Sequence, residues 1–174
     1  MLQYARRRLD GSRPVAFAHR YITRPCGEHI ENYVALSRKE FALRRQHRLL
    51  AFGWTAFGFR YGVGIESRTW LVSGLPVAVD GSRAYFAANR AMLRETLPVL
   101  ITASEDELRR RLMARRRDDA RAIEQRLKRA RKFKPQHPAL ITIDNSVPPE
   151  RAGECFAHLL MRQVPVMKCE PRGQ

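Results

Sequence analysis

Apolar and polar positions follow one another along this chain in two rhythms. Leu2, Ala5 and Leu9 recur at helical spacing with Arg6, Arg7 and Arg8 between them, which predicts a helix over residues 1–9 ending at Asp10-Gly11. Four short apolar runs, Val15–Ala18, Leu75–Val79, Leu97–Thr102 and Ala139–Ile143, read as buried parallel strands. Helical stretches separate the later three. One surrounds Met92–Glu95, and a long basic one over Glu105–Lys132 carries Leu108, Leu112, Ile123 and Leu127 on its apolar positions. Strands alternating with helices imply an α/β sheet, whose ligands lie beyond the carboxyl ends of the strands; Arg20, Asp80, Ser104 and Asp144 fall near that rim.

Between the first two runs the character changes. The segment Glu28–Gly64 is rich in aromatic residues (Tyr33, Phe41, Phe52, Trp54, Phe57, Phe59, Tyr61) and contains Gly53, Gly58, Gly62 and Gly64. That composition predicts short strands and turns in an inserted lobe.

Composition narrows the chemistry. The formal charge is +16, from 33 basic and 17 acidic residues, and only five of the basic residues are Lys, which leaves 28 Arg. Guanidinium groups bind phosphate as a planar fork, so the excess suits a polyanionic small substrate or nucleic acid, although a coding bias toward Arg produces the same surplus. Cys26, Cys155 and Cys169 are odd in number and widely spaced, which argues against a disulfide framework and for a reducing cytosol. Cys26-x-x-His29 is a lone half-pair, so no protein-ligated metal is predicted. The longest mostly apolar stretch, Leu49–Phe59, is too short to span a bilayer, and Met1–Pro14 has no signal-peptide core, so a soluble cytoplasmic protein without a membrane partner is expected.

Candidate chemistry centres on arginine. Arg20 and Arg24, just past a strand end, are placed to grip substrate phosphate. In the long helical region the break at Arg117-Asp118-Asp119 makes Arg115, Arg117 and Arg126 candidates for cations that approach a transferring phosphoryl group, whereas Arg109, Arg110 and Arg111 read as a solvated face. Asp80 reads equally as a turn residue before Gly81 and as a carboxylate that orients an acceptor or holds a water of Mg²⁺. Trp54, Phe57 and Tyr61 read chiefly as core, with polar tips on Tyr33 and Tyr61. No Gly-x-x-x-x-Gly-Lys-Ser/Thr loop occurs among the 174 residues.

Taken together, His19-Arg20-Tyr21-Ile22-Thr23-Arg24, Glu31-Asn32, Ala35-Leu36-Ser37 with Glu40-Phe41, Leu49-Leu50-Ala51 with Trp54, Tyr61-Gly62-Val63-Gly64, Trp70, Gly81-Ser82-Arg83-Ala84, Leu97-Pro98-Val99 and the stretch from Leu108-Arg109 to Arg126-Leu127 and Ala130 carry a resemblance over roughly residues 2–146. The chain resembles the ribose 1,5-bisphosphate phosphokinases of bacterial phosphonate degradation, relatives of guanylate kinase. The resemblance implies a P-loop NTPase fold of the nucleoside-monophosphate-kinase kind, a parallel sheet with helices on both faces. It implies transfer of the γ-phosphoryl group of ATP, with Mg²⁺, to ribose 1,5-bisphosphate, giving 5-phosphoribosyl 1-diphosphate. Arg20, Arg24, Tyr33, Tyr61, Ser82 and Arg83 would then lie on the acceptor side, Asp80 near the reacting phosphates, Arg115, Arg117 and Arg126 on a lid, and Asn145 near the adenine. Where a guanylate kinase has a base-reading Glu, this chain has Phe52, which disfavours guanine.

Residues 1–164 are expected to form one kinase domain, with 28–64 as an acceptor-binding lobe, 105–132 as a helical lid and 165–174 as a tail. Family members open with a central strand and a Gly-Lys loop just before the helix that starts here near Leu2, so the chain is expected to be N-terminally incomplete and inactive as it stands. Loss of that strand would leave its two neighbours with unpaired backbone groups, about 1–3 kcal/mol each where buried. A nucleoside monophosphate kinase is the alternative within kinases. A basic nucleic-acid-binding protein is the alternative outside them, disfavoured because the helical Arg face of Glu105–Lys134 offers only Phe133 for stacking. The oligomeric state is not legible.

Overall fold

A computed structural model of the protein describes residues 1–10, 14–25, 32–89, 96–114, 119–132 and 135–163. The chain divides into two units, Leu2–Asp80 with the segment from Phe156 onward, and Gly81–Cys155 with Met1.

In the Leu2–Asp80 unit, the amphipathic start folds as helix α1, Leu2–Leu9, with Ala5 and Leu9 buried and Arg6–Arg8 exposed in the last turn, where positive charge suits the helix dipole. Strand β1, Ala16–Phe17, follows, and then β2, Arg20–Ile22, and β3, Tyr33–Ala35. Helix α2, Arg38–Gln46, begins at Ser37, whose Oγ accepts from the Glu40 amide at 3.0 Å and so satisfies one of the first-turn donors. Strands β4, Leu50–Ala56, and β5, Phe59–Gly64, form an antiparallel hairpin, followed by helix α3, Glu66–Val72, and strand β6, Val77–Ala78.

Four of these strands make one mixed sheet in the order β3-β2-β5-β4, with β2 parallel to β3 and antiparallel to β5. Residues in register share a face, so Arg20 and Ile22 stand with Val63, Tyr61, Tyr33 and Trp54, while Tyr21 stands opposite Gly62 and Gly53. The first face carries the cluster of Ile22, Ala56 and Tyr61, with Tyr33, Trp54 and Phe59 packed against it. Helix α2 covers the second. A Cβ on Gly62 would lie 3.3 Å from Phe41 Cζ and 2.9 Å from Leu50 Cδ1, so the absence of a side chain there admits Phe41.

The hairpin turns on Phe57 and Gly58, with φ of 50° and 76°, the paired left-handed residues of a type I′ turn that matches strand twist. Nothing lies within 4 Å of a Cβ placed on Gly58. Gly58→Ala is therefore expected to cost only the left-handed penalty, about 1 kcal/mol, and to lower the thermal midpoint by about 2–4 °C in a calorimetric scan.

The Gly81–Cys155 unit holds helix α4, Arg83–Ala88, strand β7, Val99–Thr102, helices α5, Glu105–Ala114, and α6, Ala120–Lys132, and strand β8, Ile141–Asp144. Helix α7, Pro149–Gln163, follows, and the division of the chain falls within it. Strands β7 and β8 are parallel, Val99 opposite Ile141 and Thr102 opposite Asp144. Leu112, Ile123 and Leu127 are buried together with Leu108 against them, so the α5–α6 pair has its own apolar seam.

The four apolar runs pair as β1 with β6 and β7 with β8, both parallel, each pair a two-stranded sheet among the described residues. Among the described residues each of these strands has one hydrogen-bonded neighbour; every residue of β1 and β7 is half-buried where full burial is expected from the sequence, while Ala78 of β6 and Ile143 of β8 are buried. Arg20 is not in a loop past a strand end but inside β2, which draws the aromatic-rich sheet upstream of residue 28. The expected helix around Met92–Glu95, the tail, Cys26-x-x-His29, and Arg117 and Asp118 of the expected break lie outside the described residues, while Asp119 accepts from the Ala122 amide at the start of α6. Among the described residues no helix is long and apolar enough to cross a membrane, and no group of three His, Cys, Asp or Glu residues is placed to hold a metal ion.

Candidate functional site

In the Leu2–Asp80 unit, the first strand of the mixed sheet presents Arg20 to Asp80, Nη1 to Oδ2 at 3.0 Å. Asp80 stands just beyond β6, and the guanidinium side chain is only 17% exposed, so the pair is partly withdrawn from water and its charge-assisted contact is correspondingly strong. Beyond β2, Thr23 is pinned to Arg60: its amide donates to the Arg60 carbonyl at 3.0 Å, and its Oγ1 accepts from the Arg60 amide at 2.9 Å. That lock directs Arg24 over the Tyr33 ring, 4.9 Å from the centroid, a cation–π contact, while the Tyr33 hydroxyl donates to the Pro25 carbonyl at 3.1 Å. Arg20, Asp80, Arg24 and Tyr33 thus form two charged contacts in one unit. Tyr61 differs from them. It is 9% exposed and stacks on Trp54 at 5.4 Å, so its ring is part of the core. Phe52 stacks on Trp54 at 6.2 Å and places an apolar ring in that row.

In the Gly81–Cys155 unit, Ser82 caps α4, its Oγ accepting from the Tyr85 amide at 3.4 Å. Arg83 turns inward and donates to the Ile101 carbonyl at 2.6 Å and the Ala130 carbonyl at 3.4 Å, tying the α4 start to β7 and α6. Burial pulls its guanidinium below the ordinary arginine value. Arg83 borders a cavity of about 630 Å³ whose walls include Leu108, Leu112, Leu127, Leu140 and Asn145. The side-chain oxygen of Asn145 is buried there without a hydrogen-bond partner among the described residues, which leaves an acceptor open at the cavity. At the ends of β7 and β8 the Ser104 amide donates to Ser146 Oγ at 2.8 Å, and Ser146 donates to Asp144 Oδ1 through its amide at 2.9 Å and its hydroxyl at 2.8 Å. The amide bond chiefly holds the Asp144 carboxyl below its ordinary value. Arg126 is half-buried on α6 and engaged with its surroundings. Arg115 and Arg117 lie outside the described residues.

The α5–α6 pair is laced by ion pairs that sequence reading takes for surface charge. Arg131 binds Glu105 and Arg109 binds Glu124, joining the two helices, while Arg110 and Arg111 both grip Glu107 within α5. The hydrogen bond from Arg110 first, then that from Arg111, lowers the Glu107 carboxyl from its ordinary 4.5 to about 2. A depressed carboxylate stabilises the fold above its ordinary value and loses that contribution as pH falls through the folded one. A carboxyl ¹³C titration is therefore expected to show Glu107 still ionised at pH 3, half-protonated only near pH 2.

No family model matches the chain. Ribose 1,5-bisphosphate phosphokinase PhnN from Desulfomicrobium baculatum is 48% identical to it over 161 residues, covering 92% of this chain and 86% of the relative. The chain belongs to the ribose 1,5-bisphosphate phosphokinase family. The Burkholderia pseudomallei phosphokinase is 43% identical over the same shares of the two chains. Among solved structures, guanylate kinase from Anaplasma phagocytophilum superposes with a TM-score of 0.65 at 16% identity, covering 95% of this chain and 83% of that one. That likeness gives this phosphokinase a guanylate-kinase-like fold. Within it, the sequence reading of Ser82 and Arg83 as acceptor ligands meets a different placement: one hydroxyl caps a helix and one guanidinium braces two backbone carbonyls. The group of His19, Tyr21, Arg44 and Glu66 was not legible in the sequence, since its members come from β2 with the residue before it, from α2 and from α3.

Proposed function

We propose that this chain transfers the γ-phosphoryl group of ATP to the C1 phosphate of ribose 1,5-bisphosphate, giving ADP and 5-phosphoribosyl 1-diphosphate. The bond between the β- and γ-phosphates breaks, and a new phosphoanhydride forms on the acceptor phosphate. The observation that carries the reading is the 48% identity to a named phosphokinase across 92% of the chain. The residues supply reasons of their own. Arg20 holds a carboxylate in the free chain at 3.0 Å, and a phosphate oxygen meets the same fork equally well. Arg24 on its tyrosine adds a second cation, Tyr33 a phenol, and Phe52 in place of a carboxylate leaves no partner for guanine.

On the nucleotide side, the apolar cavity with the buried Asn145 oxygen suits adenine, whose exocyclic amine is a donor where guanine has an acceptor. Arg126, with Arg115 and Arg117, would meet the phosphates, and Arg83 would hold the cavity wall in place. Mg²⁺ bound with the nucleotide neutralises charge on the phosphates, and Asp80 is the carboxylate to which one of its waters would bind. Among residues 1–174, arginine is what this reading assigns to the donor phosphates. In this reading residues 28–64 with β2 are the acceptor lobe and residues 105–132 the lid, and the reaction runs in the cytoplasm.

The test is a pair of titrations and one assay. Calorimetry with ribose 1,5-bisphosphate and with GMP, followed by a coupled assay for ADP release from ATP, is expected to show binding of the pentose bisphosphate and not of the nucleotide. Preferential binding of GMP would overturn the acceptor assignment, and tight, steeply salt-dependent binding of nucleic acid with neither ligand bound would overturn the enzyme reading.

A further inference from the structure

Arg20 and Tyr21 are consecutive in a three-residue strand, so their side chains leave β2 on opposite faces. Arg20 goes to Asp80. Tyr21 enters a separate polar group on the face that α2 covers. Its hydroxyl donates to Glu66 Oε1 at 3.3 Å, and the same oxygen lies 3.5 Å from His19 Nε2. The His19 and Tyr21 rings meet edge to face at 5.0 Å, and the Arg44 guanidinium sits 4.6 Å over the tyrosine, itself held by Glu40 at 2.9 Å.

Two features mark Glu66 out. Among the described residues Asp80, Glu40, Glu105, Glu107 and Glu124 each pair with an arginine and Asp144 binds Ser146, whereas Glu66 pairs with the His19 imidazole and the Tyr21 phenol. Its carboxylate also fills the space beside Gly64: a Cβ there would lie 1.9 Å from Oε2. Gly64 has no left-handed φ, so it is this carboxylate, and not the backbone conformation, that requires a glycine. Burial first, and then the Glu66 charge, push the Tyr21 phenol above its ordinary value, which keeps it a proton donor to the carboxylate.

Resting on the acceptor reading above, we infer that Glu66 is a positioning residue for the acceptor site. By holding His19 and Tyr21 on the helix-covered face, it fixes the residues either side of Arg20 and so the direction in which the guanidinium leaves the sheet. Pairing with β3 and β5 fixes the backbone of β2, and the anchoring of His19 and Tyr21 adds a side-chain constraint on either side of Arg20.

The test compares the wild-type chain with Glu66→Ala, Glu66→Gln and Gly64→Ala. The first readout needs no ligand: the Nε–H resonance of Arg20 is expected to move in Glu66→Ala and in Gly64→Ala, which displaces an intact carboxylate, and to return near its wild-type position in Glu66→Gln, which still accepts from Tyr21. The second is calorimetry, where Glu66→Ala and Gly64→Ala are expected to bind ribose 1,5-bisphosphate about tenfold more weakly with ATP affinity unchanged. An Arg20 resonance unmoved in Glu66→Ala, or equal losses for ATP and acceptor, overturns the inference. A wild-type chain that does not bind the pentose bisphosphate overturns the acceptor reading instead, and the ligand-free resonance still decides the role of Glu66.

Discussion

Replacing Arg20 with alanine is expected to weaken binding of ribose 1,5-bisphosphate by roughly a hundredfold or more, the loss typical of truncating one partner of a partly buried charge pair. Arg20 is 17% exposed and sits 3.0 Å from Asp80, so its removal does two things. The acceptor phosphate loses a fork that offers two parallel hydrogen bonds, and the Asp80 carboxylate loses the Arg20 charge that it now faces at 3.0 Å. Arg20→Lys is expected to recover only part of the loss, because an ammonium restores the charge but not the planar geometry. Calorimetric titration of the acceptor against both variants checks the expectation, with ATP as the control ligand. Binding by Arg20→Ala within threefold of wild type would remove Arg20 from the acceptor site.

The second large effect is on the α5–α6 pair. Leu127 is 2% exposed and packs with Leu112 and Ile123, and it also forms part of the cavity wall beside Asn145. Leu127→Ala is expected to cost about 3 kcal/mol, the lost burial plus an unfilled hole, which in a chain of this size lowers the thermal midpoint by about 10 °C. ATP affinity is expected to fall with it, because the apolar wall that would meet adenine recedes. Differential scanning calorimetry, with and without ATP, measures both consequences. A midpoint unchanged by the substitution would mean that the two helices do not depend on this seam.

Local periodicity made some of this legible in advance. Leu108, Leu112, Ile123 and Leu127 recur at helical spacing, and they are the residues that form the buried seam. Leu2, Ala5 and Leu9 likewise predict α1 to within one residue. What escaped was non-local. Strand β2 reads Arg-Tyr-Ile, too short and too polar for an apolar run, and it is a strand because Tyr33–Ala35 and Tyr61–Val63 pair with it from either side. Helix α7 is marked by Ala152, Phe156 and Ala157, all buried, a helical spacing that went unassigned beside the polar residues around it. Arg83 illustrates the limit for site residues. Its neighbours in sequence suggest a ligand-binding turn, but its hydrogen bonds go to the carbonyls of Ile101 and Ala130, which no local pattern reveals.

The cross-links between α5 and α6 are of two physical kinds with different sensitivity to the medium. Arg131–Glu105 and Arg109–Glu124 are solvent-facing charges, and dissolved electrolyte at about 0.1 M already confines such attractions to a Debye length near 10 Å and weakens them further as it rises. The leucine and isoleucine seam beneath them is indifferent to that screening. Ionic strength therefore acts on this helix pair as a graded control of stiffness, loosening its outer stitching while the inner one keeps the helices together.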